Sequence, residues 1–216
     1  MIRTQMDNAA RAAGRPAARL LAVSKTQPAE AVAALAAEGQ RAFGENYVQE
    51  AAAKIAQLQA AGLEWHLIGH LQSNKAEQAA RLFDWVQTVD RPKLVAALAR
   101  HRPAERGPLD VLIQVNIDDE QSKHGCAPGD VAALAERILA EPRLRLRGLM
   151  AIPAPFPEPE RRQAAFSRMR GLFDALAARC PGVDTLSMGM SGDFAEAIAA
   201  GATMVRIGTA LFGARH

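Results

Sequence analysis

Residues Leu186–Arg215 read LSMGMSGDFAEAIAAGATMVRIGTALFGAR and carry one pattern twice. A short apolar run is followed by a glycine-bearing turn and then by the start of a helix. Asp184–Met188 (DTLSM) forms the first run, and Ser191 is placed to cap a helix that ends at Gly201. Thr203–Ile207 (TMVRI) forms the second, followed by Gly208-Thr209 and another helical start. Strands that alternate with helices suggest a parallel sheet.

The pattern continues toward the N-terminus. Leu20–Ser24, Arg41–Gly44, Glu64–Gly69, Asp84–Val89, Leu109–Ile117 and Leu144–Ile152 read as six earlier strands. Alanine-rich segments lie between them, and alanine loses no side-chain entropy in a helix. Pro28 and Pro92 sit at helix starts and Gly39 at a helix end. Asn46 with Gln49 resembles a capping box for a helix ending at Gly62, and Ser73 can cap the next. A fifth inter-strand helix spans Pro128 to Ala140. The proline-rich loop Pro153–Pro159 leads into a long helix ending near Cys180-Pro181-Gly182. Eight alternating strands can close a (β/α)8 barrel, and an open doubly wound sheet is the competing architecture.

The 216 residues suit a single domain over residues 1–216, and 49% hydrophobic content suffices for one core. The charge of +3 is spread along the chain. Arg143, Arg145, Arg147, Arg161 and Arg162 read as solvated surface rather than a nucleic-acid stripe. Cys126 and Cys180 lack metal or redox spacing and read as reduced thiols, which suits a cytoplasmic location. The N-terminus has no apolar signal core, and no run is long enough for a membrane span. His66 and His70 stand four apart, but across a strand and without a metalloprotease glutamate, so no metal is expected. His101, His124 and His216 stand alone.

Lys25 follows the first strand in AVSKTQP. At the catalytic end of a barrel such a lysine could form a Schiff base; on that short signal alone it could equally be an ordinary surface lysine. The turns after the last two strands offer backbone N–H groups suited to a phosphate, with Ser191 and Thr209 adding hydroxyls and Gly208 allowing close approach. Ordinary capping would look the same. Arg206 lies inside the last strand, where an unpaired guanidinium is costly. It must meet a carboxylate or a ligand, as a phosphate clamp or as a donor to a pyridine nitrogen.

AVSKTQP, FGENYVQE, EWHLIGHLQSNK, VLIQVNIDDEQSKHG, RGLMAIP, LSMGMSGD and AIAAGATMVRIGTALFGAR together closely resemble the pyridoxal phosphate homeostasis family, the YggS-like or proline synthase co-transcribed proteins. The motifs run from Ala22 to Arg215. The resemblance implies a single (β/α)8 TIM-type barrel of fold-type III, like the N-terminal domain of alanine racemases. It also implies pyridoxal 5'-phosphate (PLP) as cofactor, held on Lys25 as a Schiff base. Ser191, Gly208 and Thr209 would bind the phosphate, Arg206 would approach the pyridine nitrogen, and Asn46 would lie near the cofactor. Lys75 and Lys123 match family motifs and are expected at the surface; Lys123 could also touch a second cofactor. Tyr47 is expected to act structurally, as a hydrophobic staple. The segment before Leu20 is short, so the N-terminal helix of relatives is expected to be trimmed or to start differently.

The expected role is non-enzymatic: a monomer that buffers PLP and hands it to apoenzymes, with no catalytic residue. The alternative is an amino-acid racemase, which needs an acid/base on each face of the substrate carbon. Lys25 supplies one, and a second domain would have to supply the other. A Schiff-base aldolase without cofactor is a third reading, and a nucleic-acid-binding module has only the basic pI behind it.

Overall fold

The structure is a computed structural model and describes residues 1–118, 124–154 and 156–213. Eight parallel strands close on themselves in chain order: β1 (Arg19–Val23), β2 (Ala42–Glu45), β3 (Glu64–Leu67), β4 (Trp85–Val89), β5 (Leu109–Gln114), β6 (Leu144–Met150), β7 (Thr185–Ser187) and β8 (Met204–Ile207). The closing pair is β1 with β8, where Leu21 faces Arg206 and Ala22 faces Ile207. Closure removes the open sheet from consideration and leaves no strand edge exposed.

Helices α1 (Ile2–Ala12), α2 (Ala29–Ala37), α3 (Val48–Gln57), α4 (Ala76–Leu82), α5 (Pro92–His101), α6 (Val131–Leu139), α7 (Pro159–Arg179), α8 (Phe194–Ala199) and α9 (Thr209–Phe212) accompany the strands. Between wall and helices lies the main apolar layer, with Phe43, Phe83 and Phe166 almost wholly buried. Each such side chain contributes ~1.5–3 kcal/mol relative to exposure. Inside the barrel the apolar filling forms two separate groups, Leu21-Ala42-Ile68-Met204 and Trp85-Leu112-Met150. His66, Gln87, Ser187 and Arg206 are buried as well.

Several local expectations change. The N-terminal helix is present: α1 buries Met6 and Ala10, packs against α8, and sends Arg3 to Gln40 Oε1 at 2.7 Å. The Asn46/Gln49 capping box does not form, and α3 starts at Val48 with Tyr47 as its N-cap. Asn46 instead lies one residue before that cap, at a close crossing where a Cβ at Gly69 would sit 2.1 Å from its carbonyl oxygen. Tyr47 is 62% exposed and is no hydrophobic staple. Before Gly62, α3 gives way to a single 3-10 turn, Gln59–Ala61. Ser73 opens a 3-10 turn, and its side chain makes no cap bond there.

Ser191 does not cap α8. Asp193 occupies that place, and its Oδ1 accepts the Met190 N–H at 2.6 Å. This closes a tight turn with Ser191 near its tip. The basic clusters are largely neutralised: Arg145 and Arg147 pair with Asp110, Arg147 also with Asp184, and Arg162 with Glu196.

Candidate functional site

All six predicted site residues lie at or just below the C-terminal ends of the strands. Lys25 stands two residues beyond β1 and Gly208 one beyond β8, and the Ala22–Ile207 pairing sets them side by side. Val23, Lys25, Gly208 and Thr209 line one small cleft of ≈ 60 Å³. Gly208 keeps a negative φ, and a Cβ there would meet Val23 only at an ordinary 3.4 Å. The fold itself therefore does not demand glycine at 208. What the missing side chain leaves open is the floor of the cleft beside Lys25.

The turn that presents Lys25 is held from outside the wall. Ser24 Oγ donates to Glu45 Oε1 at 2.6 Å, and Lys54 Nζ donates to the Ser24 carbonyl at 2.6 Å. Lys54 also reaches Glu45 at 2.8 Å and Glu50 at 2.7 Å. Glu50 accepts the Thr26 N–H, and Thr26 has φ +64°, a left-handed conformation unfavourable for a β-branched residue. Ser24 on one side of Lys25 and Thr26 on the other are thus both bonded to one buried ionic cluster. Burial raises the Glu45 pKa, which the Lys54 and Ser24 bonds only partly counter. Its Oε2 has no hydrogen-bond partner among the described residues.

Arg206 lies in the wall of this mouth, 3% exposed. Its two terminal nitrogens donate to Ser187 Oγ and to the Ala151 carbonyl, each at 2.8 Å. Among the described residues no carboxylate lies within ion-pair distance of it. Burial lowers its pKa to about 10. A buried cation answered only by neutral acceptors calls for an electron-rich partner at the mouth.

The other two residues sit apart from the cleft. Ser191 is half-buried at the β7 rim in the turn closed by Asp193. Asn46 lines a neighbouring cavity of ≈ 320 Å³ with Tyr47, His70 and Lys75. Lys75 is therefore half-buried at the rim instead of decorating a helix surface. His124 does not stand alone, because its ring stacks on His70 with centroids 3.7 Å apart. Lys123 and Arg215 lie outside the described residues. Cys126 and Cys180 are free and buried, and burial pushes the Cys126 thiol up to about 12, far from a reactive thiolate.

Sequence reasoning missed Glu45, Lys54, Ser187 and Gln87. Gln87 and Ser187 stand as polar residues inside predicted strands, which was a usable signal, whereas Glu45 lies one residue beyond the predicted Arg41–Gly44. Lys54 resembles any solvated helical lysine and gave none.

The alanine racemase N-terminal domain family matches residues 1–216. The pyridoxal phosphate homeostasis protein of Pseudomonas aeruginosa is 54% identical over 216 residues, covering 99% of this chain and 93% of its own. Its counterpart in Escherichia coli K12 is 55% identical over 199 residues, covering 91% and 85%. PipY of Synechococcus elongatus is 38% identical. Its structure without PLP superposes with TM-score 0.88 over 98% of this chain and 96% of that one. Its structure with PLP bound gives 0.83 over 97% and 99%. The chain therefore belongs to the alanine racemase N-terminal domain family and, within it, to the pyridoxal phosphate homeostasis proteins.

Proposed function

We propose that this chain is a PLP-binding protein of intracellular PLP homeostasis, acting as one domain over residues 1–216 and holding the cofactor on Lys25. The observation that carries the reading is Arg206, a buried guanidinium without a carboxylate partner among the described residues, in the same barrel mouth as the Lys25–Gly208 cleft. The residues present fit the group: an amine for an aldehyde, an open glycine turn with Thr209 for a phosphate, and a fixed donor for a ring nitrogen. Lys25 would hold the group through its amine, whose nitrogen would bond to the aldehyde carbon with the carbonyl oxygen leaving as water on the two amine hydrogens. The bond is specific to aldehydes and reversible by hydrolysis, which suits buffering and delivery.

Lys25 binds, Gly208, Thr209 and Ser191 receive the phosphate, and Asn46 borders the site from the next cavity. Arg206 keeps its own proton, so a ring nitrogen facing it stays unprotonated. Bound PLP supplies an electron-withdrawing ring, and that arrangement weakens it as an electron sink. The free buried thiols suit a cytoplasmic monomer that passes PLP to apoenzymes without binding nucleic acid or membrane. No described helix is long and apolar enough to cross a membrane.

The test is PLP titration followed by absorbance. The wild-type chain is expected to develop a Schiff-base band. Lys25→Ala is expected to lose it while keeping the wild-type unfolding midpoint in urea. A band that persists in Lys25→Ala moves the site to another lysine.

A further inference from the structure

The polar groups inside the barrel form one line. Arg206 donates to Ser187 Oγ at 2.8 Å, and Ser187 Oγ donates to Gln87 Oε1 at 2.8 Å. Gln87 Nε2 donates to His66 Nδ1 at 2.9 Å, and His66 Nε2 donates to Glu64 Oε1. Arg19 completes the line with a 2.7 Å bond to the same carboxylate oxygen. Arg206 belongs to the mouth, whereas Arg19 and Glu64 are the first residues of β1 and β3 at the opposite end. The line therefore runs the length of the barrel.

Its direction is fixed by chemistry. Arginine can only donate and a carboxylate can only accept, so the two ends have no freedom. Glu64 requires the His66 proton on Nε2, which leaves Nδ1 as an acceptor. Gln87 must then turn its amide nitrogen to His66 and its oxygen to Ser187. Reversing the Gln87 amide would set two acceptors against each other at His66 or at Glu64. The same nitrogen reaches Met204 Sδ at 3.3 Å, a weak acceptor that suits this orientation. The His66 ring is held by stacking on Trp85 at 5.1 Å and 12°. Burial lowers the His66 pKa, so the neutral ring the line requires is also the one its surroundings favour.

We propose that this line is a positioning device, in which Ser187, Gln87 and His66 tie the aim of Arg206 at the mouth to the Glu64–Arg19 pair at the floor. Among the described residues Arg206 has no carboxylate of its own; the line supplies an oriented row of dipoles ending on one. The charged groups facing the line are Asp193 near Arg206, and Arg19 and Asp84 near His66. The inference rests on the reading that Arg206 meets the cofactor's ring nitrogen. With Arg206 misaimed, that nitrogen is free to take a proton from water. The ring then withdraws electrons more strongly, and the imine nitrogen on Lys25 loses its proton at lower pH.

The experiment loads the full chain with PLP and follows the Schiff-base absorbance against pH. The variants are Gln87→Leu and, at the far end, Glu64→Gln. Peptide mapping after borohydride reduction reports which lysine is linked, and urea unfolding of each apo variant reports folding. Gln87→Leu is expected to lower the absorbance midpoint by about one pH unit, equivalent to ~1.4 kcal/mol. Glu64→Gln should shift it in the same direction by a smaller amount. If Gln87→Leu does not fold, Glu64→Gln decides, because a purely structural role at the floor would not move a titration at the mouth. Variants linked at Lys25 with the wild-type midpoint overturn the line while leaving the carrier reading intact. A wild-type chain that shows no Schiff-base band overturns both.

Discussion

Glu45 and Glu64 begin from the same chemistry and end in opposite states. Glu45 sits outside the wall under α3, fully buried, and burial raises its pKa despite Lys54. Glu64 sits at the floor end of β3. Burial pushes it up too, but the bonds from His66 and Arg19 outweigh that and hold it at about 2. The outer carboxylate belongs to a compact ionic knot that fixes backbone on both sides of Lys25. The inner one terminates a line of mostly neutral dipoles that fixes a single side chain. One network shapes the turn carrying the amine, and the other bonds the Arg206 cation in the wall of the same mouth. Their energetics differ accordingly: knots of buried charge are costly to break, whereas a dipole line can be detuned with the fold intact.

The strongest way to break the comparison is Lys54→Met, which leaves Glu45 buried without its cation. It should destabilise the protein by ~3–5 kcal/mol in urea unfolding and weaken PLP uptake with it. Pairing it with Glu45→Leu should restore most of the stability but not the uptake, because the Ser24 carbonyl would still lack its Lys54 donor and the Ser24 hydroxyl would lose its acceptor as well.

Acid titration sharpens the contrast next. Glu64 has its pKa depressed by folding, from 4.5 to about 2. Its stabilisation is complete above 4.5 and is lost as pH falls through that window. With the side chain 30% exposed, solvent screening reduces this to ~1–2 kcal/mol. Glu45 has its pKa raised, so its contribution is complete below 4.5 and declines as pH climbs through the raised value. Urea unfolding across pH should show Glu64→Gln removing the acid limb and Glu45→Gln removing the opposite slope. Identical pH profiles for the two variants would erase the distinction between the networks.

The smallest expected effect is at Thr26. Thr26→Gly relieves a left-handed β-branched residue but adds chain entropy to the unfolded state, so the net gain should stay below ~1 kcal/mol in urea unfolding. A loss of stability there would mean that the Thr26 side chain holds the turn as much as the Glu50 bond does.

The barrel was legible because every strand carries its own apolar run and each is separated by helix-forming alanines. Boundaries shifted by one to three residues, as at Leu109–Gln114 against an expected Leu109–Ile117. The positions of Lys25, Arg206, Gly208 and Thr209 at one end of the barrel were legible because a strand end or strand interior fixes where they lie. Ser191 and Asn46 were misread locally, since capping depends on where a turn closes. Asp193 closes one turn, and Gly69 presses on the other. The two networks were not legible. Glu45–Lys54 and Gln87–Ser187 join residues nine and a hundred apart, and only closure of the barrel brings the second pair together.

If one amine at one mouth carries the cofactor, borohydride reduction of the PLP-loaded wild-type chain followed by peptide mapping should leave a single pyridoxyl label on the peptide containing Lys25. A label on the peptide of Lys75 or Lys123, with Lys25 unmodified, would contradict it.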